Sequence, residues 1–519
     1  MVKSDRLKEA VELSIEAGYQ LNKEAFEFLS LVSATEDPAG LVNKAIHKIE
    51  SIGEKPLFIE RELLETLLEG VKPIQGESAT YQLEDAPEQQ ANPSLTEGKN
   101  QFHPYAKEVA SDLEVVQDPT NQLNSRGTIE DYLQYFRDRF ERIERLLRRR
   151  IDVKSASSII EALRAPANTK LKIIAMITLK RESKKRILLT IEDLHSRATV
   201  LVPRNAPTKL LKRAAALLCD QIVCLSVVKT RSNLLIADDI ILPDIADNPQ
   251  HKAEVPVHAV LTSDIHVGST EFQREALNRF ILWLNGRYGN GKMRKLAGQI
   301  KYLLIAGDIV DGIGIYPNQI EELIVKDVYE QYELAGNFLE QIPDYIEVVI
   351  IPGNHDTPRK ALPQPAISNE FLERLQESRK ICSLGNPCYL RIHSVEVLVY
   401  HGRSLEDVMS TVPGMGHDSP EKAMTLLLQS RHLAPVYGEK TPLSPENRDF
   451  LVIERVPDIF HSGHIHKLGY NNYRGVLVVN SGCWQGQTSY MRRHGFVPTP
   501  GIVPVVNLQT LQAVTVPFA

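Results

Sequence analysis

Cysteine is scarce in this chain: five residues in 519, an odd number, with no C-x-x-C pair among them. That excludes a disulfide framework or a zinc ribbon and fits a reducing compartment. Long apolar runs are missing too. No stretch approaches the roughly 18 residues that cross a bilayer, and Met1–Arg6 lacks the apolar segment of a secretory signal. The expectation is a cytoplasmic protein with no membrane partner. A basic surplus is absent as well, since 60 Lys+Arg stand against 66 Asp+Glu, a net charge of −6. Affinity for nucleic acid would therefore need a local basic track rather than a global field.

The length is too great for one core and points to roughly three to four domains. Residues 1–75 read as a small helical interaction domain, in which Val11, Ile15, Leu21, Phe26 and Leu29 recur at roughly helical spacing and Leu57-Phe58-Ile59 leads into further leucines. Residues 76–127 lose apolar periodicity and read as a flexible linker. Within 128–254, Thr128 and Asp131 form a capping-box pattern before an apolar stripe of Leu133, Phe136, Phe140, Ile143 and Leu147. The helix ends in Arg148-Arg149-Arg150, which its dipole favours. Strand-like runs follow over 171–179, 186–191 and 198–202, then a helical stretch over 208–218, then strands over 222–228 and 233–242. That order is the order of an OB-fold β-barrel, a module often used for single-stranded nucleic acid. Lys180, Arg181, Lys184, Lys185 and Arg186 cluster at its first hairpin, but the stacking aromatics of an OB binding face are missing. A protein-docking role for this barrel is an equal alternative. From 255 to 519, short β-rich runs alternate with helical stretches over 274–284 and 323–339, so the chain as a whole is multidomain α/β.

Five short motifs punctuate that last domain, each just after an apolar run. They are Asp264-Ile265-His266, Gly307-Asp308-x-x-Asp311, Gly353-Asn354-His355-Asp356, Tyr400-His401-Gly402 and Gly463-His464-Ile465-His466. The ends of strands are where open α/β sheets place their sites. Each motif alone is weak, because isolated histidines are more often structural. All five in this order supply oxygen and imidazole ligands for two adjacent cations, with one histidine to spare.

Two neighbouring cations repel and need a shared anion. Asp308, with two carboxylate oxygens, is the natural bridge. Asp264 and His266 can reach one ion, His464 and His466 can each serve a different ion, and Asn354 and His401 offer an amide oxygen and an imidazole. The mixed imidazole and carboxylate set favours manganese, iron or zinc over magnesium. The common use of such a site is to activate water against a phosphate ester. Asp311 reads either as support for a ligand histidine or as a loop cap. Arg359, Lys360, Arg403 and Arg474 lie beside the motifs, with equal claims to contact DNA phosphates or to form surface ion pairs.

These motifs resemble the calcineurin-like metallophosphoesterase superfamily over roughly residues 255 to 500. The resemblance implies a two-sheet α/β sandwich. It implies one ion held by Asp264, His266, Asp308 and His466, and a second held by Asp308, Asn354, His401 and His464. His355 would be the non-ligand histidine that protonates the leaving oxygen, with Asp356 orienting its ring. The order helical domain, linker, OB barrel and phosphoesterase is similar to that of the small subunits of archaeal D-family DNA polymerases. So are the runs Asp308–Pro317 and Arg493–Gly501.

That likeness implies a 3′→5′ exonuclease acting on single-stranded or mismatched 3′ ends, partnered by a large catalytic subunit; of the metals, manganese is expected first, with iron, zinc or magnesium as alternatives. Binding of a sliding clamp is left open. The rival readings are a structural subunit that scaffolds the polymerase and, more remotely, a phosphatase of proteins or small molecules.

Overall fold

The computed structural model describes residues 102–519 apart from 184–185, 232–233 and 377–378, together with parts of the stretch from 7 to 64. Ile15, Leu57, Lys184, Lys185 and the part of the expected linker from 76 to 101 lie outside the described residues. The chain divides into two compact units, Met1–Thr80 and Tyr81–Ala519.

In the first unit the helix Pro38–Ile52 buries Val42, Ala45, Ile46 and Ile49, a spacing that sets them on one face. They pack with Ala25 and Leu29. The unit is not purely helical as the periodicity suggested. Gln20–Leu21 and Phe58–Ile59 pair as a short parallel ribbon, and Phe26 is 45% exposed.

In the second unit the stretch expected to be linker is folded over residues 102–127. Strand β1 (Leu113–Gln117) pairs antiparallel with a strand almost 280 residues later, near Leu390. Its burial is only partial, which is why no alternation marked it in the sequence. Helix α1 (Ile129–Arg148) starts at the expected capping box, where Thr128 accepts from the Asp131 amide and Asp131 accepts from the Thr128 amide. Its buried face differs from the apolar stripe, because Leu133 is 65% exposed while Arg139 and Arg142 are buried.

Strands β2 (Lys170–Ser183), β3 (Arg186–Glu192), β4 (Arg197–Val202), β5 (Ile222–Lys229) and β6 (Leu235–Ile241) close a barrel in the order β2-β3-β4-β6-β5. Helix α2 (Thr208–Ala216) falls between β4 and β5 in the chain. The barrel interior is filled by Ile173, Ala175, Ile177, Leu189, Val200, Val223 and Leu225.

The remainder is two six-stranded mixed sheets. The first holds β7 (His258–Thr262), β8 (Ile300–Ala306), β9 (Glu347–Ile351) and β10 (Cys382–Ser383) in parallel. Antiparallel β16 (Ile502–Asn507) and β17 (Ala513–Pro517) complete it beside β7. The second holds β11 (Cys388–Ile392), β12 (Val395–Val399), β13 (Ile459–Ser462), β14 (Gly469–Tyr473) and β15 (Val476–Asn480), with β1 at its edge. Strand β13 lies between β12 and β15 and is parallel to both.

Both faces of each central strand are buried, and successive side chains serve different layers. Leu261, Tyr302, Leu304 and Val349 meet Val397, Val399, Ile459 and Val479 between the sheets. On the outside of the first sheet Val260, Leu303, Ile305 and Ile350 pack on helices α3 (Arg274–Leu284) and α4 (Val328–Leu339). Leu398, Phe460 and Val478 do the same for α5 (Pro420–Ser430). The order helix, sheet, sheet, helix is a four-layer sandwich. Helix α4 begins five residues later than the periodicity suggested, because Asp327 caps the amides of Tyr329 and Glu330.

Candidate metal centre

All five motifs lie immediately after strands that run parallel to a neighbour: β7, β8 and β9 in one sheet, β12 and β13 in the other. The turn that follows must fold the chain sharply to aim its side chains inward. Asp264, His266, Asp308, His464 and His466 accordingly adopt left-handed backbone, with φ between +52° and +70°. Such a conformation costs a non-glycine residue about 1–3 kcal/mol and clusters where surrounding structure enforces it for function. The loops enforce one another here. The amides of Asp264 and His266 donate to the carbonyls of Gly307 and Asp308, and the Gly463 amide donates to the His401 carbonyl. Glycine is required at 353, where an added Cβ would sit 2.1 Å from Asp308 Oδ1, and at 307, whose φ is +89°.

The side chains converge as two groups. Asp264, His266 and His466 place one donor atom each within 4.8 Å of one another, and Asp308, His401 and His464 do the same. Asp308 Oδ2 lies 3.3 Å from His401 Nε2 and 3.7 Å from His266 Nε2, so it stands between the groups. Asn354 Oδ1 is 3.0 Å from His401 Nε2. Among the described residues, Asp264 Oδ1 and His464 Nε2 are buried without a hydrogen-bond partner. Buried oxygen and nitrogen lone pairs left without a partner are what a cation would satisfy, so the residues present fit a pair of metal ions.

The imidazoles are held from behind. His266 Nδ1 meets Asp311 Oδ1 at 2.8 Å, and His401 Nδ1 donates to the Ala306 carbonyl at 2.7 Å. Each turns its Nε2 toward Asp308 at the centre. Asp311 is itself fixed by Gln319 and Gln485, at 2.9 and 3.1 Å.

Burial opposes charge on all these groups, yet mutual attraction prevails. His401 rises to about 9 beside Asp308. His266 rises well above its ordinary value among Asp264, Asp311 and Asp308. Asp308 falls well below the usual carboxylate range beside His401 and His355. His355 goes the other way, pushed down to about 4 by burial.

One sequence expectation is corrected here, and for Arg359 and Arg474 the structure shows the ion-pair alternative. Asp356 does not touch His355. It accepts from the amides of Gly353 (2.8 Å) and Ile309 (3.2 Å) and from the Tyr332 hydroxyl (3.1 Å), bracing the loops that carry Asn354 and Asp308. The His355 ring is held instead by the Asp311 carbonyl, 2.7 Å from Nδ1. Arg359 is engaged with the Pro363 carbonyl and the buried Glu446. Arg474 bonds the Ile245 carbonyl and pairs with Asp244 at the turn before β15, away from the centre. Lys360 donates to the Asn354 carbonyl. Of the four cations considered, Arg403 alone lines the cavity over the two groups, a space of about 340 Å³. Its Nη1 is buried with no partner among the described residues.

Glu406 and Lys440 also line this cavity and were not singled out from the sequence. Glu406 Oε1 lies 3.6 Å from His464 Nε2. Its carboxyl is held at about 2 against burial by His464 and Lys440. No short pattern marks either residue, since both reach the site from segments between the motifs.

Residues 259–467 match the family of DNA polymerase alpha/epsilon B-subunits. Over longer spans the chain is similar to proteins named DNA polymerase II small subunit. It is 35% identical to that of Archaeoglobus fulgidus over 94% of this chain and 93% of the relative. It is 36% identical to that of Methanothermobacter thermautotrophicus over 91% of this chain and 92% of the relative. With the Pyrococcus horikoshii protein it shares 38% identity over 75% of this chain and 62% of that longer relative.

Proposed function

Because this chain belongs to the family of archaeal DNA polymerase II small subunits, we propose that it acts as a metal-dependent 3′→5′ exonuclease that trims single-stranded or mispaired ends for a separate large polymerase subunit. The observation that carries this reading is the completeness of the donor set. His266, Asp308, Asn354, His464 and His466 line one cavity with Asp264 and His401 clustered behind them, and His355 stands beside them with its Nε2 unengaged among the described residues. A subunit that only scaffolds has no need of seven converging ligands or of five strained backbones to aim them. The four-layer sandwich is accordingly read as a calcineurin-like metallophosphoesterase. The closed barrel, with its strand-strand-strand-helix-strand-strand order, is read as an OB fold.

Asp264, His266 and His466 would hold one divalent ion, Asn354, His401 and His464 the other, and Asp308 both. Manganese is favoured, with iron, zinc and magnesium as alternatives. Bound there, the pair would supply an acidified water and counter-charge for a phosphate. The Arg403 guanidinium is the group free to meet a non-bridging phosphate oxygen by a charge-assisted hydrogen bond. Donation of Nδ1–H to the Asp311 carbonyl fixes the His355 tautomer, so Nε2 is the atom that takes up a proton and delivers it to the departing oxygen. Exposed Ile129 and Leu133, 74% and 65% accessible beside the barrel, favour a second and compatible role as a docking surface for the large subunit.

The test is purified chain on 5′-labelled single-stranded DNA with manganese. Shortening from the 3′ end is expected. Asp308→Ala should lose both metal, counted by elemental analysis, and cleavage. His355→Ala should keep its metal and lose about 100-fold or more in rate. Turnover of p-nitrophenyl phosphate with DNA left intact would move the assignment to a phosphatase. Fully metal-loaded protein inert toward both would leave the scaffolding subunit.

A further inference from the structure

One wall of the cavity is aromatic and comes from none of the five motifs. His417, Tyr490 and Phe496 line the same space as His355 and His464. His417 stacks on Phe496 with ring centroids 3.8 Å apart and planes 28° from parallel. His494 lies 5.9 Å from Phe496 and 4.2 Å from Tyr490. Helix α6 (Ser489–His494), capped by Thr488, ends at Gly495 with φ +73°, and the Phe496 amide turns back to the Met491 carbonyl at 2.9 Å. That reversal brings Tyr490 and Phe496 to one place. Tyr490 is nevertheless 42% exposed, and its hydroxyl has no hydrogen-bond partner among the described residues. A tyrosine recruited only for packing would bury its ring and satisfy its hydroxyl.

The wall therefore offers a partly exposed π-surface beside Arg403, whose Nη1 has no partner among the described residues, and beside the proton-handling His355. A nucleotide has the complementary shape: a flat base that stacks on aromatic rings and a phosphate that seeks a cation. Resting on the reading of this site as a DNA phosphodiesterase, we propose that Tyr490 and Phe496 stack the nucleobase of the strand terminus being cut, so that the site takes an unpaired end in preference to a paired one. A base held on these rings has left its partner, which a mispaired base does more readily than a paired one.

The experiment compares the full wild-type chain with Tyr490→Leu, Phe496→Leu and the conservative Tyr490→Phe. Two single strands serve as substrates, one ending in an ordinary nucleotide and one ending in an abasic residue. Stacking is read separately, in a His355→Ala background, from quenching of a 3′-terminal 2-aminopurine on binding. The leucine variants should raise KM about tenfold on the ordinary end. They should leave the abasic end unchanged and abolish the quenching, while Tyr490→Phe behaves as wild type. Equal losses on both ends, or quenching that survives both leucine variants, would overturn the proposal. Quenching that depends on these rings in a wild-type protein that cleaves neither strand would sink the exonuclease reading and leave the base-stacking wall standing. Normal cleavage without quenching would sink the wall alone.

Discussion

The buried Asp356 carboxylate accepts from three backbone amides and a tyrosine hydroxyl, and none of these is His355. Burial and the nearby Asp308 raise its pKa, which the braced loops tolerate because the hydrogen bonds favour the anion. Its role is therefore to hold the loop geometry that brings Asn354 to Asp308. Asp356→Ala should lower unfolding stability in denaturant by about 1–3 kcal/mol, since it strands buried donors. Asp356→Asn should cost less. A residue that merely oriented His355 would change the rate and leave the unfolding midpoint in place. At the same scale the sequence was a good guide to which side chains converge, because carboxylates and imidazoles at strand ends have few structural uses. It was a poor guide to their neighbours. Whether Arg359 met a phosphate or a carboxylate depended on Glu446, which lies 87 residues later.

Helix α1 is tied to the sandwich by buried charge. Arg139 Nε meets Asp449 Oδ2 at 2.7 Å, and its two other nitrogens donate to the Pro435 carbonyl and the Tyr135 hydroxyl. The same carboxylate oxygen is 2.8 Å from His432 Nε2, while His432 Nδ1 accepts from the Ala434 amide. His432 is thus held neutral, pushed down to about 4 by burial and by Arg139. A histidine depressed in the folded state stabilises above its ordinary value of 6.5. That contribution is lost as pH falls from 6.5 toward 4, because the unfolded chain binds the proton first. Asp449, held well below its ordinary value of 3.8 against burial by His432 and Arg139, loses its contribution only below that value. His432→Gln should flatten the stability profile between pH 6.5 and 4 by up to about 1.4 kcal/mol per pH unit. The remaining slope belongs to groups such as His258, also pushed to about 4 by burial. Arg139→Met, which leaves Asp449 uncompensated, should cost about 3–5 kcal/mol at neutral pH. An unchanged acid profile in the first variant, or an unchanged midpoint in the second, would refute this account of the helix.

At the scale of the molecule, every residue of the candidate metal centre and of the aromatic wall falls within the unit Tyr81–Ala519. That unit owns its barrel, its two sheets and its core layers. A chain beginning at residue 81 should therefore fold with the metal content and melting temperature of the full chain's larger unit, and cleave single-stranded DNA at the same rate. Scanning calorimetry and elemental analysis check the first part independently of activity. Failure of the shortened chain to bind metal would show that residues 1–80 contribute to the site. The expected barrel and alternating α/β region were visible because their strands are short apolar runs with turn residues between them. The second sheet was only partly visible. Its edge strand β1 is half-exposed and lies far in sequence from its partner β11.

The sequence by itself determined which carboxylates and imidazoles follow the strands and the order of those strands, because residue type and short apolar runs are local properties. Only the tertiary structure decided which oxygen faces which imidazole, which arginines sink into the core, and that residues 113–117 join a sheet. Those outcomes rest on contacts across tens to hundreds of residues, where burial turns a surface charge into a paired one and a lone tyrosine into part of a cavity wall.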